Sequence, residues 1–154
     1  MKTTVVNHQT RVRINMPAVK ALTAELSHRL VAADRATVWG DLSVVLTDDG
    51  GITQPNREFF GKNRPTDVIS FRYDPVPGEA EQAAGDLIVN AECALREGPA
   101  HDGPDAELAL YIAHGLNHLS GADDDTPQKR AAMRRTETRW LAELQTGIKN
   151  LIIR

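Results

Sequence analysis

The stretch His114-Gly115-Leu116-Asn117-His118-Leu119-Ser120-Gly121-Ala122-Asp123-Asp124 decides the reading of this chain. It lies in a segment with helical periodicity. Residues four apart on a helix share one face, with Cβ atoms roughly 5–6 Å apart. His114 and His118 can therefore turn two imidazoles toward one ion. Gly121 follows three residues later, where a glycine ends a helix in the left-handed conformation. The chain can then turn back and bring a third ligand from its acidic loop. Two histidines and one aspartate make a three-ligand zinc site with the fourth position open, which points to chemistry rather than scaffolding. The competing reading is two unrelated surface or core histidines. The helix-ending glycine and the acidic turn weigh against it.

Working outward, Leu108, Ile112, Leu116 and Leu119 form the buried stripe of this helix. Asp105 and Glu107 suit its first turn, where the helix dipole favours anions. His114 and His118 lie beside the stripe with Leu110, which places them half-sheltered under a sheet. Residues 91–97 read as a short helix, 98–104 as a break, and 127–144 as a last helix opened by Pro127. Upstream, residues 10–14, 42–46, 67–71 and 86–89 read as strands. Val19, Leu22, Leu26 and Leu30 mark a helix over 17–33, with Pro17 at its start. Residues 48–51 read as a turn, 56–60 as a short helix or loop, and 75–78 as a loop. Strands early and helices late predict an α+β fold, with one mixed β-sheet and helices packed on it.

Length and composition set bounds. At 154 residues the expectation is a single domain over 1–154. Hydrophobic content of 41% and charged content of 25% fit an ordinary globular protein. No apolar run approaches the ~20 residues of a membrane span. The first residues lack the apolar segment of a secretory signal. Cys93 is the one cysteine, so no intrachain disulfide can form, and a cytoplasmic location is the expectation. Cys93 itself falls in the short helix and reads as inert. A net charge of −3 argues against general nucleic-acid coating, but binding follows the local field rather than the sum.

Two further blocks join the histidine segment. One is Asn56-Arg57-Glu58-Phe59 followed by Pro65-Thr66-Asp67-Val68-Ile69-Ser70-Phe71. The other is Gly85-Asp86-Leu87-Ile88-Val89. In this order, and with H-G-x-x-H-L-x-G, they resemble the YbeY family of bacterial ribosomal-RNA maturation endoribonucleases, whose signature is H-G-x-L-H-L-x-G-Y-D-H. The resemblance covers nearly the whole chain. It implies a compact zincin-like α+β domain and a zinc-dependent single-strand endoribonuclease. That enzyme would act in ribosomal RNA maturation and small-subunit quality control. One Zn2+ per chain is implied, with single-stranded RNA, the small ribosomal subunit, no membrane and no DNA as the partner expectations. The implied metal ligands are His114, His118 and Asp124. The family's third ligand is a histidine, and its register falls on Asp124, with Asp123 and Asp125 as competitors. Metzincin proteases, which share the ligand turn, include forms with aspartate third. A carboxylate adds negative charge at the metal. The family also keeps an arginine after the aromatic of N-R-E-[FY], where this chain has Phe60. Asn117 replaces a leucine, which reads as a minor change.

Other residues stay open between two readings. Lys62, Arg64 and Arg72 flank the 67–71 strand as phosphate-binding candidates or as a solvated edge. Lys129, Arg130, Arg134, Arg135 and Arg139 make the last helix basic. A solvated face is the simpler reading, and a face for ribosomal RNA the other. Asp67 and Asp86 are candidates for orienting an imidazole or taking a proton, or else they hold turns. Asp67 and Arg64 are the catalytic candidates, and no general base is identified. Trp39 and Trp140 read as core or interface aromatics. The alternative function is a metal-stabilised ribosome- or RNA-binding protein with reduced or lost nuclease activity. A metalloprotease fits less well, because HExxH requires a glutamate where Gly115 stands.

Overall fold

Val44 lies in the middle of the sheet, opposite Val5 on one side and Leu87 on the other. The computed structural model describes residues 1–79 and 81–154. Its elements are β1 (Lys2–Asn7), α1 (Met16–Ala33), β2 (Trp39–Thr47), α2 (Asp49–Phe60), β3 (Val68–Tyr73), β4 (Ala83–Asn90), α3 (Ala91–Glu97), a 3-10 turn (Gly98–Ala100), α4 (Pro104–Leu119) and α5 (Pro127–Ala142). The strands run β1-β2-β4-β3. β1, β2 and β4 are parallel, and β3 is an antiparallel edge against β4. The fold is the expected α+β architecture with one mixed sheet.

α1 is capped by the Asn15 side chain, which accepts the Ala18 N–H, and it buries Val19, Leu22, Leu26 and Leu30 completely. α4 packs on β3 and β4 and also touches α1, α3 and α5. Its approach to the sheet is close. A Cβ on Gly115 would lie 2.8 Å from Leu87 Cδ2, and one on Gly85 2.7 Å from Leu119 Cδ1. That proximity sets the height of the α4 histidines over the edge of the sheet. Trp39 and Trp140 are both buried in the core.

Two local expectations are corrected. The first strand is not 10–14 but Lys2–Asn7, where only Val5 is buried, so the edge strand shows little alternation. Around 10–14, Gln9 satisfies the backbone itself: its side chain accepts from the Val12 N–H and donates to the Val12 carbonyl, both at 2.8 Å. Such local bonds compete with strand pairing. Only Ile14 forms a bridge, to Ile152. The second correction is that 48–51 is not a turn but the capped start of α2. Asp48 caps α2 by accepting the Gly51 N–H at 2.8 Å, and the helix continues through Pro55 to Phe60. An internal proline costs roughly 3 kcal/mol in an isolated helix. Complete burial of Ile52 and the buried Asn56 anchor this one to the fold.

Candidate metal centre

α4 ends as its sequence demands. Gly121 takes φ 102°, its N–H bonds the His118 carbonyl at 3.0 Å, and the chain reverses into the 122–126 loop. That reversal brings Ala122 O within 3.1 Å of His118 Nδ1. A carbonyl only accepts, so His118 carries its proton on Nδ1 and turns a bare Nε2 lone pair outward. His114 Nδ1 likewise donates to Glu137 Oε2 at 2.9 Å, leaving its Nε2 bare. The two Nε2 atoms stand 3.1 Å apart. Two lone pairs at that distance repel unless a cation or a proton lies between them.

Asp124 completes the group. Its Oδ2 is 3.3 Å from His118 Nε2 and 3.6 Å from His114 Nε2. Tetrahedral coordination at the ~2.0–2.1 Å of zinc–nitrogen bonds separates neighbouring ligand atoms by about 3.3–3.4 Å. The three observed spacings bracket that edge, so the residues fit a small tetrahedral cation, and these three side chains could hold a metal ion. The other aspartates are engaged elsewhere. Asp123 Oδ1 accepts the Asp124 N–H at 2.8 Å, and Asp125 pairs with Lys129 at 2.9 Å.

Glu137 of α5 is only 2% exposed, and it is the group that sequence reasoning missed. Besides His114, its Oε2 accepts from Asn117 Nδ2 at 2.9 Å. Asn117 is therefore no minor replacement but a buried partner of the carboxylate that holds His114. Burial alone would push the His114 imidazole pKa down. The hydrogen bond and charge of Glu137, with the charges of Asp67 and Asp124, outweigh it and hold the group above its ordinary value. The same negative field favours a bound cation.

The triad opens into a cleft of about 470 Å³ between β3 and the α4 loop. Asp67, Lys62, Arg72 and Phe60 line it, whereas Arg64 is not among the lining residues. Asp67 Oδ1 accepts from Val68 N and Thr66 Oγ1, and it bonds neither histidine. Arg72 is committed to structure. It pairs with Asp34 and Asp74, donates to Leu119 O at 2.7 Å, and lies 5.0 Å from the Trp39 ring centre. Asp86 faces Tyr73 rather than an imidazole. A second hollow of about 350 Å³ shares His114, Asp124 and Glu137 with Arg130 and Arg134 of α5. His114 and Asp124 thus line two openings, each with cationic side chains. In a separate hollow that Asp67 also lines, Cys93 lies 3.3 Å from the Tyr111 hydroxyl, and burial pushes its thiol up, away from the reactive thiolate.

Comparison with known proteins gives one consistent result. A family model described as "Endoribonuclease YbeY" matches residues 4–145. The "Endoribonuclease YbeY" of Rhodopirellula baltica is 43% identical over 64% of this chain and 50% of its own length. The chain thus spans half the length of that relative. The Geobacter metallireducens protein of the same name is 34% identical over 87% of this chain and 88% of its own. The Syntrophomonas wolfei one is 30% identical over 94% and 98%. A solution structure of a Thermotoga maritima protein superposes with a TM-score of 0.57 over 92% of this chain and 90% of that one. At 19% identity it speaks for the fold alone.

Proposed function

The chain belongs to the YbeY family, and on that premise we propose that it is a zinc-dependent endoribonuclease cutting single-stranded RNA. Its place would be the cytoplasm, in maturation of ribosomal RNA and quality control of the small ribosomal subunit. The observation that carries the reading is the convergence of His114 Nε2, His118 Nε2 and Asp124 Oδ2 within an open cleft. One zinc ion per chain, when bound there, supplies Lewis acidity and positive charge to a phosphodiester.

The chain's own residues do the rest. Glu137 and Ala122 O hold the two imidazoles in the tautomer that leaves Nε2 free to ligate. Lys62 on one side and Arg130 and Arg134 on the other draw the phosphate backbone across the metal group. Asp67, which lines the cleft and whose charge reaches His114, is the better placed of the two catalytic candidates to hold a proton. Arg64, outside that lining, is left with long-range attraction.

Gly115 bears on the protease reading. It faces Leu87 and Val68, not the cleft, and its carbonyl accepts from Ser70 Oγ at 3.1 Å. No proton carrier stands there. A second reading, a metal-stabilised ribosome-binding protein with weakened cleavage, is favoured by Phe60, which lines the cleft where an arginine would grip phosphate.

The test is cleavage of a single-stranded ribosomal RNA fragment by zinc-loaded protein. Cleavage should vanish with a chelator and in His118→Ala. Ribosome binding without cleavage would favour the second reading, and cleavage that survives both treatments would sink the first.

A further inference from the structure

All three phenylalanines of the chain stand together, and one of them, Phe60, lines the cleft beside His114, His118 and Asp124. Phe59 meets Phe71 edge-on, with ring centres 5.0 Å apart at 66°. Phe60 lies nearly parallel to Phe71, at 6.4 Å and 25°. Phenylalanine is normally a core residue, so an exposed aromatic patch is the informative case. Here Phe59 is 61% exposed and Phe60 53%. Neither anchors α2, whose buried residues are Ile52 and Asn56. The helix stops directly after them, because Gly61 takes the left-handed φ of 69°. Asn56 Nδ2 then ties the returning loop through Arg64 O at 2.8 Å, and Lys62 joins Phe60 on one wall of the cleft.

We propose that Phe60, backed by Phe71 and Phe59, is a stacking platform that holds one unpaired base of single-stranded RNA beside His114, His118 and Asp124. The inference rests on the endoribonuclease reading and names how that site selects its substrate. A nucleotide has a flat apolar base and an anionic phosphate. An exposed ring with an ammonium beside it in one cleft matches both parts. Proteins that bind single strands combine such cationic grooves with aromatic stacking surfaces. Lys62 and Arg64 take no part in the salt bridges found among the described residues, so their charge is free to act on phosphate. A paired base keeps its faces covered by its neighbours, so the platform selects single strands without reading sequence. An apolar protein contact would need neither the lysine nor the shared wall with the metal group.

The experiment measures binding of zinc-loaded protein to a labelled oligoadenylate and to an abasic strand of equal length. Phe60→Ala should weaken oligoadenylate binding about 5–150-fold, the range of one base–aromatic stack, and leave the abasic strand unchanged. Phe60→Trp should bind oligoadenylate at least as well as wild type, and Phe60→Leu should behave like Phe60→Ala. Equal weakening of both strands would mean that Phe60 merely shapes the cleft, and would overturn the platform. So would unchanged RNA affinity with altered self-association, which would mark the patch as a contact between protein chains. Wild type that cleaves single-stranded RNA while Phe60→Ala binds it normally would sink the platform alone. Wild type that neither binds nor cleaves single strands would sink the reading of the site with it.

Discussion

His114 and Asn117, three residues apart on α4, donate to the same oxygen of Glu137, each at 2.9 Å. The pair explains why a carboxylate can stay buried on α5. One donor is the imidazole it orients, and the other is an amide that occupies a further lone pair. A carboxylate left buried with fewer donors costs more, because the lost hydration is not replaced.

Glu137→Ala should therefore lower zinc affinity about 10–100-fold, the usual effect of removing a ligand's hydrogen-bond partner. Asn117→Leu should lower it less, because His114 keeps its acceptor. Competition with a chromophoric chelator measures both. Equal affinity in wild type and Glu137→Ala would show that α4 alone sets the ring.

Asp124→Ala should lose most of the bound zinc, whereas Asp123→Ala and Asp125→Ala should keep it. The motivation is that only the Asp124 carboxylate reaches both Nε2 atoms, while its neighbours serve a backbone N–H and Lys129. Metal analysis of purified variants decides this. Retention in Asp124→Ala with loss in either neighbour would place the third ligand one residue away.

The site was legible where its information is local. The spacing of His114 and His118 and the position of Gly121 are properties of one helix end, and the turn at Gly121 leads the chain back so that Asp124 meets the two imidazoles. Glu137 was hidden because its role depends on how α5 lies across α4, which no local pattern states. One signal was available. Met133, Glu137 and Trp140 fall at helical spacing and are the buried residues of α5, so a glutamate sits on an otherwise apolar stripe. The basic residues around it, Arg134, Arg135 and Arg139, mask that stripe in the sequence. The first strand was hidden for another reason. β1 pairs on one side only and has one buried residue, so its alternation is weak, while 10–14 alternates yet forms no more than the single bridge at Ile14. The α2 helix was obscured by two glycines and Pro55, whose low propensity is overridden by the Asp48 cap and the burial of Ile52.

Gly115→Glu should not create a protease and should destabilise the fold. A Cβ at this position meets Leu87 at 2.8 Å and Val68 at 3.1 Å, so α4 must lift from the sheet. Overpacking of this kind typically costs 1–3 kcal/mol, roughly, before any cost of burying the charge. Thermal unfolding should show a clearly lower midpoint, and casein should remain intact. Chelator-sensitive casein hydrolysis by this variant at an unchanged unfolding midpoint would refute both points.

Phe60→Arg should raise the rate of single-strand RNA cleavage, and Arg134→Ala should lower it. Phosphodiester hydrolysis builds negative charge on phosphoryl oxygens, and a preorganised donor at such a site is worth roughly 10²–10³ in rate. Phe60 offers none, and Asp124 would add a negative charge beside a bound metal, so both are expected to depress the rate. An arginine at position 60 would restore a donor on the cleft wall while keeping a planar surface, since guanidinium groups also stack on bases. The gain should therefore appear in kcat, at about tenfold or more, with RNA affinity retained. Arg134 lines the opposite opening with His114 and Asp124, where Arg130 is already drawn to the Asp124 carbonyl at 3.3 Å. Of the two it is the freer to meet a phosphate. Asp124→His, alone and with Phe60→Arg, separates charge at the metal from charge on the wall. Independent effects on the logarithm of the rate should add. The assay is cleavage of a single-stranded ribosomal RNA fragment, with His118→Ala as the control for contaminating nuclease. If Phe60→Arg is unchanged or slower than wild type while Arg134→Ala is inactive, the charge at the phosphate comes from α5. The cleft wall at position 60 would then serve only to hold the base.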